Sequence, residues 1–142
     1  MPKTHECYKV VLHRGDKMVS YRIGTIRTDV RKNLETTYEI GKISKAPVGF
    51  LFAFSDLTAA EGFANEYLYR TDCKEYSILK CKGYYKAQKE IRLAWIGDSL
   101  EIMLDIWKTY GKPCHTLYSS APRNTVCFRW VKPIEVVAHK KI

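Results

Sequence analysis

Few residues of this 142-residue chain stand at spacings that could support catalysis. Cys114 is next to His115, but neighbouring side chains usually point apart, and a cysteine nucleophile needs its base within about 3 Å. The sequence contains no glycine-rich phosphate or dinucleotide loop, no H-E-x-x-H metal helix and no G-x-S-x-G nucleophile turn. The sequence therefore assigns no catalytic residue.

His13, Arg14 and Gly15 near the start and Glu135 near the end loosely resemble the order seen in ADP-ribosyltransferases. In those enzymes an early His or Arg holds the dinucleotide and a late glutamate polarises the ribose. The Ser-Thr-Ser or Tyr-x₁₀-Tyr element and the Glu-x-Glu turn of that family are missing from this chain. A degenerate enzyme of that type is one alternative, and a simple hairpin turn at Arg14-Gly15-Asp16 is the other.

The cysteines are Cys7, Cys73, Cys81, Cys114 and Cys127, an odd number with no C-x₂₋₄-C spacing among them. A metal ion bound by one short loop needs such spacing or H-x₃₋₅-H, because two donors must reach the same ion. We therefore expect reduced, structural cysteines, no metal site and no cofactor. The polar start of the chain and the absence of a long apolar run predict a cytoplasmic protein without a membrane interaction.

The formal net charge of +9 is the remaining functional signal. Between residues 73 and 95 lysines interleave with Tyr76, Tyr84 and Tyr85, and cations beside aromatic faces are what stacked bases use. The competing interpretation is a solvated sheet face, on which lysines serve solubility. If a ligand binds, the contacts are expected at loops and strand ends. The candidate binding residues are Arg22, Arg27, Lys42, Lys45, Tyr84, Tyr85 and Arg123.

Strand-like runs must position these residues. The runs at 7–13 and 17–23 predict an opening hairpin, because Gly15 permits the positive φ of a tight turn. Further strands are expected at 37–43, 50–54, 73–81, 84–95 and 125–137, and those at 73–81 and 84–95 would form a hairpin around Gly83. Pro133 predicts an edge position or a bulge in the last strand.

Two helices are expected among these strands. Ser55 or Asp56 can cap a helix over 57–68, and Asp98 with Glu101 forms a capping box for a second helix that begins near Ser99. The fold class predicted from this order is α+β, a mainly antiparallel sheet with two helices packed on one side. A chain of this length forms a single domain over residues 1–142.

Several of these segments resemble a class of small proteins from bacteriophages and large DNA viruses. They are the Tyr-x-Ile-Gly-Lys run at 38–42, the Leu-Phe-x-Phe strand at 51–54, the Ala/Phe helix at 59–64 and the turn into the last strand, where Asn124 replaces a usual glycine. The resemblance implies a viral accessory protein, and such proteins often blunt host immunity. It assigns no activity.

Together these observations predict a non-enzymatic binding protein, plausibly of counter-defence type. Its partner is expected to be a nucleotide signal or a nucleic acid, held by a basic, tyrosine-rich surface. The alternatives are a protein–protein inhibitor of an acidic host defence protein, with Arg and Tyr as anchors, and the degenerate transferase. Edge strands would also permit a homodimer.

Overall fold

The computed structural model describes residues 3–20, 36–46, 50–67, 75–87, 92–94, 118–120 and 124–141. Within these ranges it has nine strands and one helix. The strands are Thr4–Arg14 (β1), Lys17–Ser20 (β2), Thr37–Tyr38 (β3), Ser44–Lys45 (β4), Leu51–Phe54 (β5), Glu75–Lys86 (β6), Arg92–Ala94 (β7), Tyr118–Ser120 (β8) and Thr125–Lys141 (β9). The helix is Leu57–Tyr67 (α1).

Three long strands, β1, β6 and β9, form the frame of a seven-stranded sheet. Strand β6 pairs with β1 on one side and with β9 on the other, both antiparallel. The short strand β5 bridges the same two partners, since Phe54 pairs with Tyr8 of β1 and Leu51 pairs with Phe128 of β9. The ladder β1-β6-β9-β5 therefore closes on itself, and β7 with β8 forms a separate two-stranded sheet.

Alternation along the strands divides the apolar residues between two buried clusters, as the period of two in a strand requires. One cluster contains Cys7, Val11, Tyr38, Leu51, Ala53, Leu79, Cys81, Phe128 and Val131. The other contains Val10, Leu12, Val19, Phe54, Ala60, Ala64, Tyr76 and Ile78, and helix α1 packs on it through its two fully buried alanines. The sheet is thus buried on both faces near its middle.

The first cluster encloses a charged side chain. Lys9 on β1 is 7% exposed, and its ammonium donates a hydrogen bond to the backbone carbonyl of Phe52. Burial lowers the pKa of Lys9 to about 8, since water is lost from the ammonium. The thiols of Cys7, Cys81 and Cys127 are close enough to oppose that shift. Lys9 therefore belongs to the core and not to the basic surface.

The three described cysteines are free and buried, as predicted for structural cysteines. Burial raises the pKa of Cys127 to about 12. The pKa of Cys81 is raised chiefly by its hydrogen bond with Cys7 and also by burial. Because the thiolate is the reactive form, the raised pKa values of Cys81 and Cys127 make these two thiols poor nucleophiles. Cys73 and Cys114 lie outside the described residues.

Several local predictions are confirmed. Gly15 has a φ of 62° in the β1–β2 turn. Helix α1 begins at Leu57, and the Asp56 carboxylate accepts a hydrogen bond from the backbone N–H of Ala59 at 2.7 Å. The register between β6 and β9 shifts beside Pro133, which gives the predicted bulge. Asn124, immediately before β9, has a φ of 63°, which lies in the left-handed region that glycine adopts most readily and asparagine tolerates.

The predicted fold class is wrong. The described part of the chain is 68% strand and 12% helix, mostly antiparallel sheet with a single helix rather than two helices packed on a sheet. The second helix predicted from Ser99 lies outside the described residues.

Two strand predictions are also wrong in detail. No hairpin turns at Gly83, because β6 runs through it to Lys86, and β7 pairs with β8 instead. The run at 37–43 is a strand only at Thr37–Tyr38, because a turn follows in which Gly41 has a φ of 86°.

Among the described residues, no helix combines the length and the apolar character needed to cross a membrane.

Candidate ligand-binding surface

One end of the sheet carries a group of aromatic side chains centred on Trp130 of β9. Trp130 pairs with Tyr84 of β6 on one side and with Lys45 of β4 on the other. The Tyr84 and Trp130 rings are 6.5 Å apart between centroids and tilted by 53°. The ammonium of Lys45 lies 4.6 Å from the centre of the Trp130 ring, within the range of a cation–π contact. Three strands therefore hold one indole ring between a tyrosine and a lysine.

Tyr85 completes this group with an unusual backbone. Its ring meets that of Trp130 at 4.8 Å between centroids with the planes 88° apart. Its φ is 59°, in the left-handed region that a bulky residue rarely adopts. Tyr85 is also 45% exposed, so burial of its ring does not explain the strained conformation. Such strain concentrates at functional positions, where the surrounding structure maintains it.

A row of charged residues lies next to the aromatic group. Lys82 and Lys132 are direct partners across β6 and β9, two residues along each strand from Tyr84 and Trp130. Alternation places all four side chains on the same face of this strand pair. Like charges directly opposite each other destabilise a sheet unless an anion intervenes. We call Lys45, Lys82, Tyr84, Tyr85, Trp130 and Lys132 the Trp130 surface.

The charges near this surface are unevenly balanced. Glu6 of β1 pairs in register with Lys82, and its carboxylate lies 3.8 Å from the ammonium of Lys80. The pKa of His5 is lowered, first by burial and then by the nearby ammonium groups of Lys86 and Lys3. Burial is the larger cause, and the two ammonium groups act in the same direction because a nearby positive charge disfavours the charged imidazole. The potential here favours phosphate or another anion.

The structure brings together three of the seven predicted binding residues: Lys45, Tyr84 and Tyr85 all contact the Trp130 ring. Lys42 lies on the turn before β4, where its ammonium is 3.2 Å from the carboxylate of Glu39. Tyr76, which the sequence places among the lysines, is instead 5% exposed and packs under helix α1. Arg22, Arg27 and Arg123 lie outside the described residues.

Trp130 and Lys132 escaped prediction from the sequence as binding residues. They lie more than 45 residues from Tyr84 along the chain, so only the β6–β9 register reveals the contact. The alternation of Trp130 with Lys132 is the one sequence signal that could have indicated them, since it repeats the lysine–tyrosine alternation at Lys82 and Tyr84.

The residues of the transferase alternative are not brought together. Glu135 is exposed and pairs with Lys80 of β6. His13 lies one residue beyond Leu12, whose partner on β6 is Tyr76, four residues from Lys80. His13 and Glu135 are therefore about five residues, or about 17 Å, apart along the strand direction at the usual rise per residue. No shared cleft is formed by these two side chains.

Polar groups gather at the opposite end of the β6–β9 ladder. A ring nitrogen of His13 is 2.7 Å from the hydroxyl of Ser77, and a ring nitrogen of His139 is 2.6 Å from the carboxylate of Glu75. The two imidazole rings are 5.3 Å apart. The hydrogen bond with His139 is the main cause that lowers the pKa of Glu75. Within the described ranges, His13, Glu75 and His139 are the residues whose donor atoms could meet at one metal ion.

Comparison of the chain with models of protein families, with curated proteins and with solved structures finds no match. Function is therefore argued from these two groups of side chains.

Proposed function

We propose that this protein binds single-stranded nucleic acid at the Trp130 surface. The observation that carries the proposal is the Trp130 ring itself, held by Tyr84, Tyr85 and Lys45 from two neighbouring strands. Proteins that bind single strands combine aromatic side chains, on which bases stack, with a cationic groove that follows the backbone. The Trp130 surface offers both components on one face.

The aromatic part supplies the base contacts. Tyr85 is 45% exposed, and its ring position is fixed by the contact with Trp130. A ring that is already ordered loses little conformational entropy when a base stacks on it. Base–aromatic stacking contributes about 1–3 kcal/mol per base, which corresponds to about 5- to 150-fold in affinity.

The cationic part supplies the phosphate contacts. Lys82 and Lys132 face each other across β6 and β9, directly beside the aromatic pair. A phosphate between them would convert a repulsive pair into two attractive contacts. Because lysine is a point charge with no base specificity, we expect binding that tolerates many sequences and weakens as salt rises.

The test measures the affinity of a fluorescently labelled single-stranded oligonucleotide by anisotropy. Trp130→Ala should weaken binding about 5- to 150-fold. Lys132→Ala should weaken binding and reduce the slope of log affinity against log salt. Lys17→Ala is the matched control, since Lys17 is the exposed first residue of β2, paired with Arg14 of β1 and outside the Trp130 surface. This variant should bind like the wild type.

The same assay separates the alternatives. Free mononucleotides or cyclic nucleotides that compete as well as the oligonucleotide would indicate capture of a nucleotide signal instead. A surface that inhibits an acidic protein would be blocked equally by polyglutamate, which has the charge but no bases. No oligonucleotide binding by the wild type at low salt would contradict the proposal.

The resemblance to small viral proteins stays a prediction, and it suggests the biological context in which such a protein would bind nucleic acid. A phage or viral accessory protein that coats or sequesters nucleic acid in the host cytoplasm could act against host defence. This setting supports the choice of ligand, but the test above does not depend on it.

A further inference from the structure

We propose that His13, Glu75 and His139 form a binding site for a divalent first-row transition metal such as Zn²⁺. This site is separate from the Trp130 surface. Ser77 and Tyr84 mark the two positions on β6 and are seven residues apart, which is about 24 Å along a strand. The proposal therefore stands whether or not the chain binds nucleic acid.

Three strands position the ligands. His139 of β9 pairs with Ser77 of β6, and Glu75 is two residues before Ser77 on the same face of β6. His13 of β1 follows Leu12, the partner of Tyr76, so it lies on the other side of β6 beside Glu75. Both imidazoles consequently flank the same stretch of one strand. The pairing of β1 with β6 and of β6 with β9 fixes the backbone on which all three residues stand.

The distances suit one metal ion. The candidate donor atoms of the three residues all lie within 4.8 Å of one another. Donors about 2.0–2.1 Å from a tetrahedral Zn²⁺ are about 3.3 Å apart. Side-chain rotations alone can close that difference, because each donor is at the end of a flexible side chain. The hydrogen bonds between His139 and Glu75 and between His13 and Ser77 already hold the groups in one place.

The donor set selects the class of metal. Two imidazole nitrogens and one carboxylate oxygen suit Zn²⁺, Fe²⁺, Co²⁺ or Ni²⁺, whereas Mg²⁺ and Ca²⁺ prefer oxygen ligands. The side chains of His139 and Glu75 are 48% and 32% exposed, so an ion can enter from solvent and water can complete its coordination. Ser77 is 1% exposed and its hydroxyl contacts His13, which would orient that ring.

The test is a titration of the full chain with Zn²⁺. Calorimetry measures the affinity and the stoichiometry, and NMR of the imidazole nitrogens shows which histidines bind the ion. The chain has four histidines. We expect one equivalent of Zn²⁺ to shift the imidazole signals of His13 and His139 and to leave those of His5 unchanged. His139→Ala and Glu75→Gln should each weaken binding by about tenfold or more. Mg²⁺ should produce no effect.

His5→Asn is the matched control, because His5 is on the same strand as His13 but stacks on Phe128. It should bind Zn²⁺ like the wild type. Circular dichroism and melting temperature verify that each variant folds. Equal Zn²⁺ affinity in wild type and His139→Ala, or signals that shift only for other histidines, would overturn the site. Trp130→Ala should lose nucleic-acid binding and bind Zn²⁺ like the wild type. This result would show that the two sites are independent, so that failure of one proposal does not affect the other.

Discussion

The Tyr85 ring meets the Trp130 ring at 4.8 Å between centroids, and the backbone of Tyr85 has a φ of 59° where the contact forms. The residues on either side of Tyr85 keep their pairing with β9, Tyr84 with Trp130 and Lys86 with Phe128. The left-handed residue thus stands between two residues that both pair with β9. An exposed aromatic ring is maintained there at a conformational cost, which is why this end of the sheet is the candidate binding surface.

Replacement of Tyr85 by glycine tests that cost. Glycine adopts a positive φ without strain, so Tyr85→Gly should lose less stability than Tyr84→Gly, by about 1–2 kcal/mol. Tyr84 is the matched control, since it neighbours Tyr85 and also faces Trp130. The measurement is the free energy of unfolding in urea. An equal loss in both variants would argue against strain at Tyr85.

Gly83 should not tolerate a side chain. A methyl group on Gly83 would lie 2.6 Å from the Phe128 ring, which covers this position in the core. Gly83→Ala should therefore lower the free energy of unfolding by about 1–3 kcal/mol, through overpacking. Gly62→Ala in helix α1 is the control, because nothing lies within 4 Å of the added methyl group. That variant should gain about 0.5–1 kcal/mol. A neutral Gly83→Ala would contradict the packing described here.

The buried Lys9 should make stability depend on pH. Its pKa is about 8 in the folded chain and 10.5 ordinarily, so between these values the unfolded chain binds more protons. The free energy of unfolding therefore rises with pH between 8 and 10.5 as Lys9 loses its proton. Below pH 8 the buried ammonium lowers the free energy of unfolding by its full amount. This cost is about 3 kcal/mol. Lys9→Met should be more stable than the wild type at pH 7.

The decisive quantity is the difference between Lys9→Met and wild type across pH, measured by urea unfolding. Unfolded cysteines also titrate near pH 9 and act in the opposite direction, since burial raises the pKa of Cys127 in the folded chain. Both proteins keep these thiols, so the comparison cancels the effect of burial on the thiols and leaves that of Lys9 together with its electrostatic contacts to them. We expect the advantage of Lys9→Met to shrink as pH rises from 8 to 10.5. A constant difference over that window would mean that Lys9 is not buried as a charge.

Local chemistry made part of the fold predictable. The Gly15 turn, the Asp56 cap and the bulge at Pro133 each depend on one residue and its neighbours, and all three are present. The course of β6 through Gly83 was not predictable from the sequence. Gly83 is not there to form a turn; it leaves space for the ring of Phe128, which comes from a strand distant in the sequence. Glycine has two structural uses, and the sequence does not distinguish them.

The candidate sites show the same division. Tyr84 and Tyr85 were predicted from a segment in which lysines and tyrosines interleave, and Lys45 was predicted because loops and strand ends could bring it near them. Trp130 joins these residues only through the register of β9 with β4 and β6. His13 and His139 are each 64 residues from the group they contact on β6. A search for short-range metal-ligand spacing could not find them, because the ligands come from three strands.

The central claim is that bases stack on the aromatic group that Trp130 holds together, and one thermodynamic cycle tests it most directly. Wild type and Trp130→Ala are each titrated with a single-stranded oligonucleotide and with an abasic strand of equal length and charge. Removal of the bases should weaken binding to the wild type by about 5- to 150-fold and should have little effect on Trp130→Ala. Equal losses for the two proteins would contradict stacking at Trp130.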